Sequence, residues 1–127
     1  MNEEQSKGVY YWVKHSKMFL FFELNRFSEK AKYIFLPDWV LSQEYRKLPV
    51  NLELSDKEKV FAIMNGAEEG GNPMSSEANQ NWLRENQVGH TSMSVGDMIY
   101  DGEKWYVVLG IGFAEISWLK DRDLGGD

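Results

Sequence analysis

The chain has no cysteine, which excludes disulfides, thiolate metal sites and cysteine nucleophiles. It has only two histidines, His15 and His90, so a metal centre or a general base has few places to stand. No run approaches the roughly 18 consecutive apolar residues of a membrane span. The opening Met1-Asn2-Glu3-Glu4-Gln5 is acidic and polar, the reverse of a secretory signal. A basic excess is missing too: 14 Lys/Arg stand against 20 Asp/Glu, a net charge of −6. What is present is aromatic: five Trp, six Tyr and seven Phe in 127 residues, ample for one folded core. The expectation is a single cytoplasmic domain with no cofactor, no metal and no membrane contact.

Charge divides the chain unequally. Residues 1–60 carry ten basic and nine acidic side chains, whereas residues 61–127 carry four and eleven. An acidic half repels phosphate backbones, so free nucleic acid is an unlikely ligand for it. A basic surface on a protein partner is electrostatically welcome there.

Periodicity outlines an α+β domain. Val9–Lys14 and Met18–Leu24 are aromatic and β-branched runs, expected as a hairpin across His15-Ser16-Lys17. Lys32–Leu36 suggests a further strand, stopped by Pro37. Asp38–Lys47 has helical spacing at Trp39, Val40, Gln43 and Arg46. Ser55 with Glu58 has the capping-box form and opens a helix carrying Val60, Phe61, Ile63 and Met64, closed by Asn65-Gly66. A second helix is expected from Ser75 or Ser76, with Ala78, Trp82 and Leu83, ending before Gly89. Ser94–Tyr100 and Glu103–Leu109 flank Asp101-Gly102, a strong hairpin signal. A last strand spans Phe113–Trp118, and Asp121–Asp127 is expected to fray. The predicted architecture is two antiparallel β-ribbons packed against two or three helices.

Five groups of residues invite chemistry. His90, Ser92, Ser94 and Asp97 hold the members of a nucleophilic triad, but such a triad needs a base oriented by a third residue. Residues bunched this closely more often bond the backbone of a turn. Thr91, Ser92 and Ser94 are therefore read as turn formers, and Asp97 as an acceptor of backbone N–H groups at a strand entry. Asp97, Asp101, Glu103 and Glu115 lack the spacing of a calcium loop. Neither Gly66/Gly70/Gly71 nor Gly110-Ile111-Gly112 has a phosphate-loop or dinucleotide pattern. Tyr10, Tyr11, Trp12, Phe19, Phe21 and Phe22, beside Lys7, Lys14, Lys17, Lys30 and Lys32, either stack nucleic-acid bases or cover a core. Glu68, Glu69, Glu77, Glu85, Asp101 and Glu103 either form a solvated surface or imitate a row of phosphates that docks on an Arg/Lys groove.

The stretch from about Lys59 to Ile116 resembles a known family. Val60-Phe61-Ala62-Ile63-Met64-Asn65 is similar to its apolar helix ending in Asn. His90-Thr91-Ser92-Met93-Ser94-Val95-Gly96-Asp97-Met98-Ile99 is similar to its R-S-L-S-V-S-D-V-I signature. Tyr106-Val107-Val108 with Gly112-Phe113 is similar to its closing strand and Gly-Phe. The family is the YodL-like domains of phage and conjugative-element proteins. The chain departs from it at His90-Thr91, where the family has Arg, and at Gly96, where it has Ser. The likeness does not extend to residues 1–58. It implies a mobile-element setting, a small α+β domain and no established catalytic residue, in the company of counter-defence proteins that bind host enzymes. The expectation is therefore a non-enzymatic accessory protein that inhibits or modulates a host protein with a basic surface, its contacts made by Glu68, Glu69, Glu77, Glu85, Asp101 and Glu103. The alternative is a small RNA or single-stranded DNA binder using the aromatic N-terminal segment.

Overall fold

Residues that alternate between two apolar faces dominate the centre of the fold. In the computed structural model, which describes residues 6–18, 20, 21 and 32–120, six strands form one sheet. They are β1 (Gly8–Trp12), β2 (Tyr33–Pro37), β3 (Tyr45–Lys47), β4 (Met98–Tyr100), β5 (Trp105–Val108) and β6 (Phe113–Leu119), in spatial order β2-β6-β5-β4-β1-β3. All neighbours are antiparallel except β2 and β6, which run parallel. Three helices accompany them: α1 (Trp39–Glu44), α2 (Lys57–Ile63) and α3 (Glu77–Glu85), with a 3-10 turn at Pro73–Ser75 before α3. The α+β class is as expected, with the strands joined in a single sheet.

Both sheet faces are buried, so the strands around β1 read as nearly continuous apolar runs. On one face Tyr10, Met98, Trp105, Val107, Ala114 and Ile116 pack with Val40 and Leu41 of α1. On the other, Val9, Tyr11, Ile99 and Val108 pack with Val60, Met64, Met74 and Leu83 of the helical layer. That second face is uncovered at β2, where Tyr33 and Phe35 are 54% and 60% exposed. Among the described residues no helix is long and apolar enough to cross a membrane.

Several local expectations are corrected. Met18–Leu24 is not the partner of β1. Met18, Leu20 and Phe21 are helical, with Phe21 N–H bonded to Lys17 O at 3.3 Å; Phe19 and Phe22–Leu24 lie outside the described residues, as do Lys30 and the Asp121–Asp127 tail. The buried Ser16 hydroxyl accepts from Met18 N–H at 3.0 Å and so starts a helical turn where a strand was expected. Both edges of β1 are taken by distant chain, β4 and β3.

The helix expected over Asp38–Lys47 stops at Glu44, because Tyr45–Lys47 pairs with β1. The cap of α2 is Asp56 rather than Ser55: its carboxylate accepts from Glu58 and Lys59 N–H. The strand expected from Ser94 begins only at Met98, since Asp97 N–H closes a turn on Ser94 O at 3.0 Å. Gly96 takes φ +98° within that turn, a conformation for which glycine carries no steric penalty. The following hairpin turns at Gly102-Glu103, with Asp101 N–H bonded to Lys104 O.

Candidate functional site

Asp97 gathers more hydrogen-bond contacts than any other side chain among the described residues. It is wholly buried. One carboxylate oxygen accepts from Trp12 N–H at 3.1 Å, and the other from Ser94 N–H at 2.8 Å and the Ser94 hydroxyl at 3.3 Å. His90 Nε2 reaches both oxygens, at 3.1 and 2.9 Å. Burial pushes the Asp97 carboxyl above its ordinary range, while the His90 contact and the N–H groups of Ser94 and Trp12 pull the other way. The reading of Asp97 as an acceptor at the strand entry describes this geometry. It ties β1, the Ser94–Asp97 turn and the Gly89–Ser92 segment into one unit.

His90 is held as firmly. Its ring stacks on Tyr11 at 4.6 Å and on Trp12 at 4.3 Å, and 17% of its side chain is exposed. Nδ1 is buried and meets no hydrogen-bond partner, while Nε2 faces Asp97. The order of contacts is not that of a nucleophilic triad. The Ser94 hydroxyl lies on the carboxylate, not on the imidazole, and Ser92 is exposed without a bond to either. Thr91 works through its backbone: its carbonyl accepts from the Tyr11 hydroxyl at 3.0 Å and Asn72 Nδ2 at 3.2 Å. Its own hydroxyl oxygen accepts from Gln80 Nε2 at 3.0 Å.

Beside His90 a cavity of about 460 Å3 opens between the end of β1, the C-terminus of α3 and residues 88–91. Its ionisable lining is Lys14, His15, Arg84 and His90, with no carboxylate. The α3 terminus that forms one wall is a Schellman motif: Val88 N–H bonds to Leu83 O at 2.9 Å and Gln87 N–H to Arg84 O at 3.2 Å. Gln87 takes the left-handed position, φ +61°, the only positive φ among the described non-glycine residues. Sequence reading missed this set, because Lys14 and Arg84 are seventy positions apart and Gly89, two residues late, looked like the helix stop.

The acidic residues are dispersed. Glu68 and Glu69 lie in the loop after α2, Glu77 and Glu85 at the two ends of α3, and all four are exposed. Glu103 is exposed on the β4–β5 turn. Asp101 is engaged there, accepting from Glu103 N–H at 2.8 Å and Lys104 N–H at 2.9 Å. Partial burial acts upward on its carboxyl, but those N–H groups and the Lys57 charge hold it below the usual range. Asp97 is far from this turn's role, and Glu115 pairs with Lys104 at 3.8 Å. Among the described residues no three His, Asp or Glu side chains are grouped to hold a metal ion.

The aromatic segment is divided by burial. Tyr10 and Tyr11 are inside the core, whereas Trp12 is partly exposed and Phe21 is exposed, so the first two present no ring for a nucleic-acid base. Searches against protein-family models, curated proteins and solved structures find no match to this chain.

Proposed function

We propose that this domain is a non-enzymatic accessory protein, of phage or mobile-element type, that binds a basic surface on a host protein and inhibits or modulates it. One observation supports the reading. Glu68, Glu69, Glu77, Glu85 and Glu103 are exposed, and none of their carboxylates has a hydrogen-bond or ion-pair partner among the described residues. Most other described carboxylates have structural work. Asp56 caps α2, Asp97 is buried, Asp101 holds a turn, Glu44 accepts from Lys17 N–H, Glu53 accepts from Ser55 N–H, and Glu115 is paired. The five are thus available for charge-assisted bonds to Arg or Lys across an interface. Asp101 is left out of the contact set because its turn needs it. The mobile-element setting rests on the likeness of His90–Ile99 to the YodL-like signature.

The test is affinity capture from a bacterial lysate, with and without nuclease and across a salt series. Wild type is compared with a variant carrying Glu68→Lys, Glu69→Lys, Glu77→Lys and Glu85→Lys. One dominant protein that resists nuclease, leaves at high salt and is lost in the variant supports the reading. Retention of the same protein by the variant overturns it. So does recovery of RNA or DNA alone, which transfers the function to the segment around Trp12 and Lys14.

A further inference from the structure

We propose that the cleft between the end of β1, the C-terminus of α3 and residues 88–91 is a binding site for a small phosphate-bearing anion, held by Lys14, Arg84 and the Thr91 hydroxyl. The proposal stands on residues other than the exposed carboxylates above, so the two stand or fall separately. Charge is the first argument. In a chain of net charge −6, this cavity gathers Lys14 and Arg84, with His15 and His90, and has no acidic lining residue. The nearest buried negative charge, Asp97, is spent on five contacts behind the His90 ring.

The second argument is a one-sided inventory of donors and acceptors. A helix C-terminus ordinarily offers free carbonyls and a partial negative charge, which repel an anion. Here three of the carbonyls of the last turns are occupied. Leu83 O is bonded by Val88 N–H, Arg84 O by Gln87 N–H, and Trp82 O by both the backbone and side chain of Asn86. Gln87 O is taken by Lys14 N–H at 2.6 Å, and Thr91 O by Tyr11 and Asn72. Donors remain. Because the Thr91 oxygen accepts from Gln80, its hydroxyl proton is left to donate. Gln80 cannot turn away, since its amide also bonds Met74 O at 2.7 Å.

The third argument is energetic. Two unfavourable features meet at this one cleft: the left-handed Gln87 and the unpartnered His90 Nδ1. Such costs concentrate at functional sites because the surrounding structure holds them in place for binding. Gly89 adds access: a Cβ there would sit 3.4 Å from Lys14 Cγ, so the lysine stem lies directly over bare backbone. The cavity volume of about 460 Å3 suits a small-molecule site of roughly 300–1,000 Å3.

The experiment is a titration of the full chain with inorganic phosphate, followed by amide NMR shifts and compared with sodium chloride at matched ionic strength. Saturable shifts at Lys14 and residues 87–91, weakened at least tenfold in a Lys14→Gln/Arg84→Gln variant, are the expected result. Both side chains are exposed, so the variant keeps its fold; unchanged dispersion elsewhere in the spectrum checks this. A Glu68→Gln/Glu69→Gln variant should bind phosphate as wild type does, whatever becomes of the protein partner. A linear drift matched by chloride overturns the proposal, as does unchanged affinity in the double variant. An oligothymidylate arm separates sources: strand binding that phosphate does not displace also overturns it.

Discussion

Lys14 and Gln87 meet backbone to backbone at 2.6 Å, and Gln87 makes that contact from a left-handed conformation with φ +61°. An L-residue with a Cβ is disfavoured there by about 1–2 kcal/mol. Glycine removes that penalty but loses more chain entropy on folding, about 0.5–1 kcal/mol. Gln87→Gly is therefore expected to raise stability by about 0.5–1 kcal/mol, read as a higher urea midpoint with an unchanged slope. A lower midpoint would show that the glutamine side chain itself supports the fold.

Asp97 gives the largest expected loss. Asp97→Ala strips the acceptor from Trp12 N–H, Ser94 N–H and His90 Nε2 together, and buried donors without partners cost about 1–3 kcal/mol each. A loss above about 3 kcal/mol, or failure to fold, is expected. Asp97→Asn keeps one acceptor oxygen and should cost less. Denaturation midpoints of the two variants provide the check, and equal losses would contradict the assignment.

The same carboxylate sets a pH dependence. Burial raises its pKa in the folded state above the unfolded value, so the folded chain holds that proton more tightly. The Asp97 contribution therefore favours folding at low pH and declines as pH rises through the folded pKa. Asp101 has the opposite sign: its carboxyl is held low, so its contribution is present above the unfolded pKa and is lost as pH falls through the folded one. Stability curves of Asp97→Asn and Asp101→Asn should diverge from wild type in opposite directions, Asp97→Asn as pH rises above the ordinary carboxyl value and Asp101→Asn as pH falls below it, roughly 4.

Tyr45 locks the signature turn to the edge strand. Its hydroxyl donates to Gly96 O at 2.5 Å, with the ring buried on β3. Tyr45→Phe removes one buried bond and leaves the carbonyl short of a donor, an expected loss of about 1–2 kcal/mol. Burial also holds the phenol well above its ordinary pKa, with the Asp97 and Glu44 charges adding to the effect. Its stabilising contribution is thus full below the unfolded pKa and declines as the solution becomes more alkaline. Ultraviolet titration should show this tyrosine ionising only with unfolding; an early, reversible phase assigned to Tyr45 would refute the burial argument.

How much was legible depended on the range of the interaction. Ser76 was visible as a helix start, and it caps α3 by accepting Asn79 N–H at 3.2 Å. The Asp101-Gly102 hairpin was visible too, because both residues act within three positions of themselves. Met18, Leu20 and Phe21 were misread because their aromatic run suits a strand equally well, and the Ser16 hydroxyl bond to Met18 N–H outweighed that pattern. Tyr45–Lys47 was misread as helix for a related reason: local spacing continued, but pairing with β1 satisfied the backbone instead. The basic cleft left no signal in sequence, since its walls come from three separated segments.

By itself the sequence determined the class of fold, the acidic balance and the turns, all of which follow from composition or from contacts between near neighbours. It also marked Asp97 as a structural acceptor in kind, since a carboxylate among serines finds N–H donors nearby. Only the tertiary structure decided that β1 lies between β4 and β3, that His90 is clamped against Tyr11 and Trp12, and that Lys14 and Arg84 line one cleft without carboxylates. Those outcomes depend on burying apolar surface on both sides of one sheet. That term is summed over the whole chain and has no local signature.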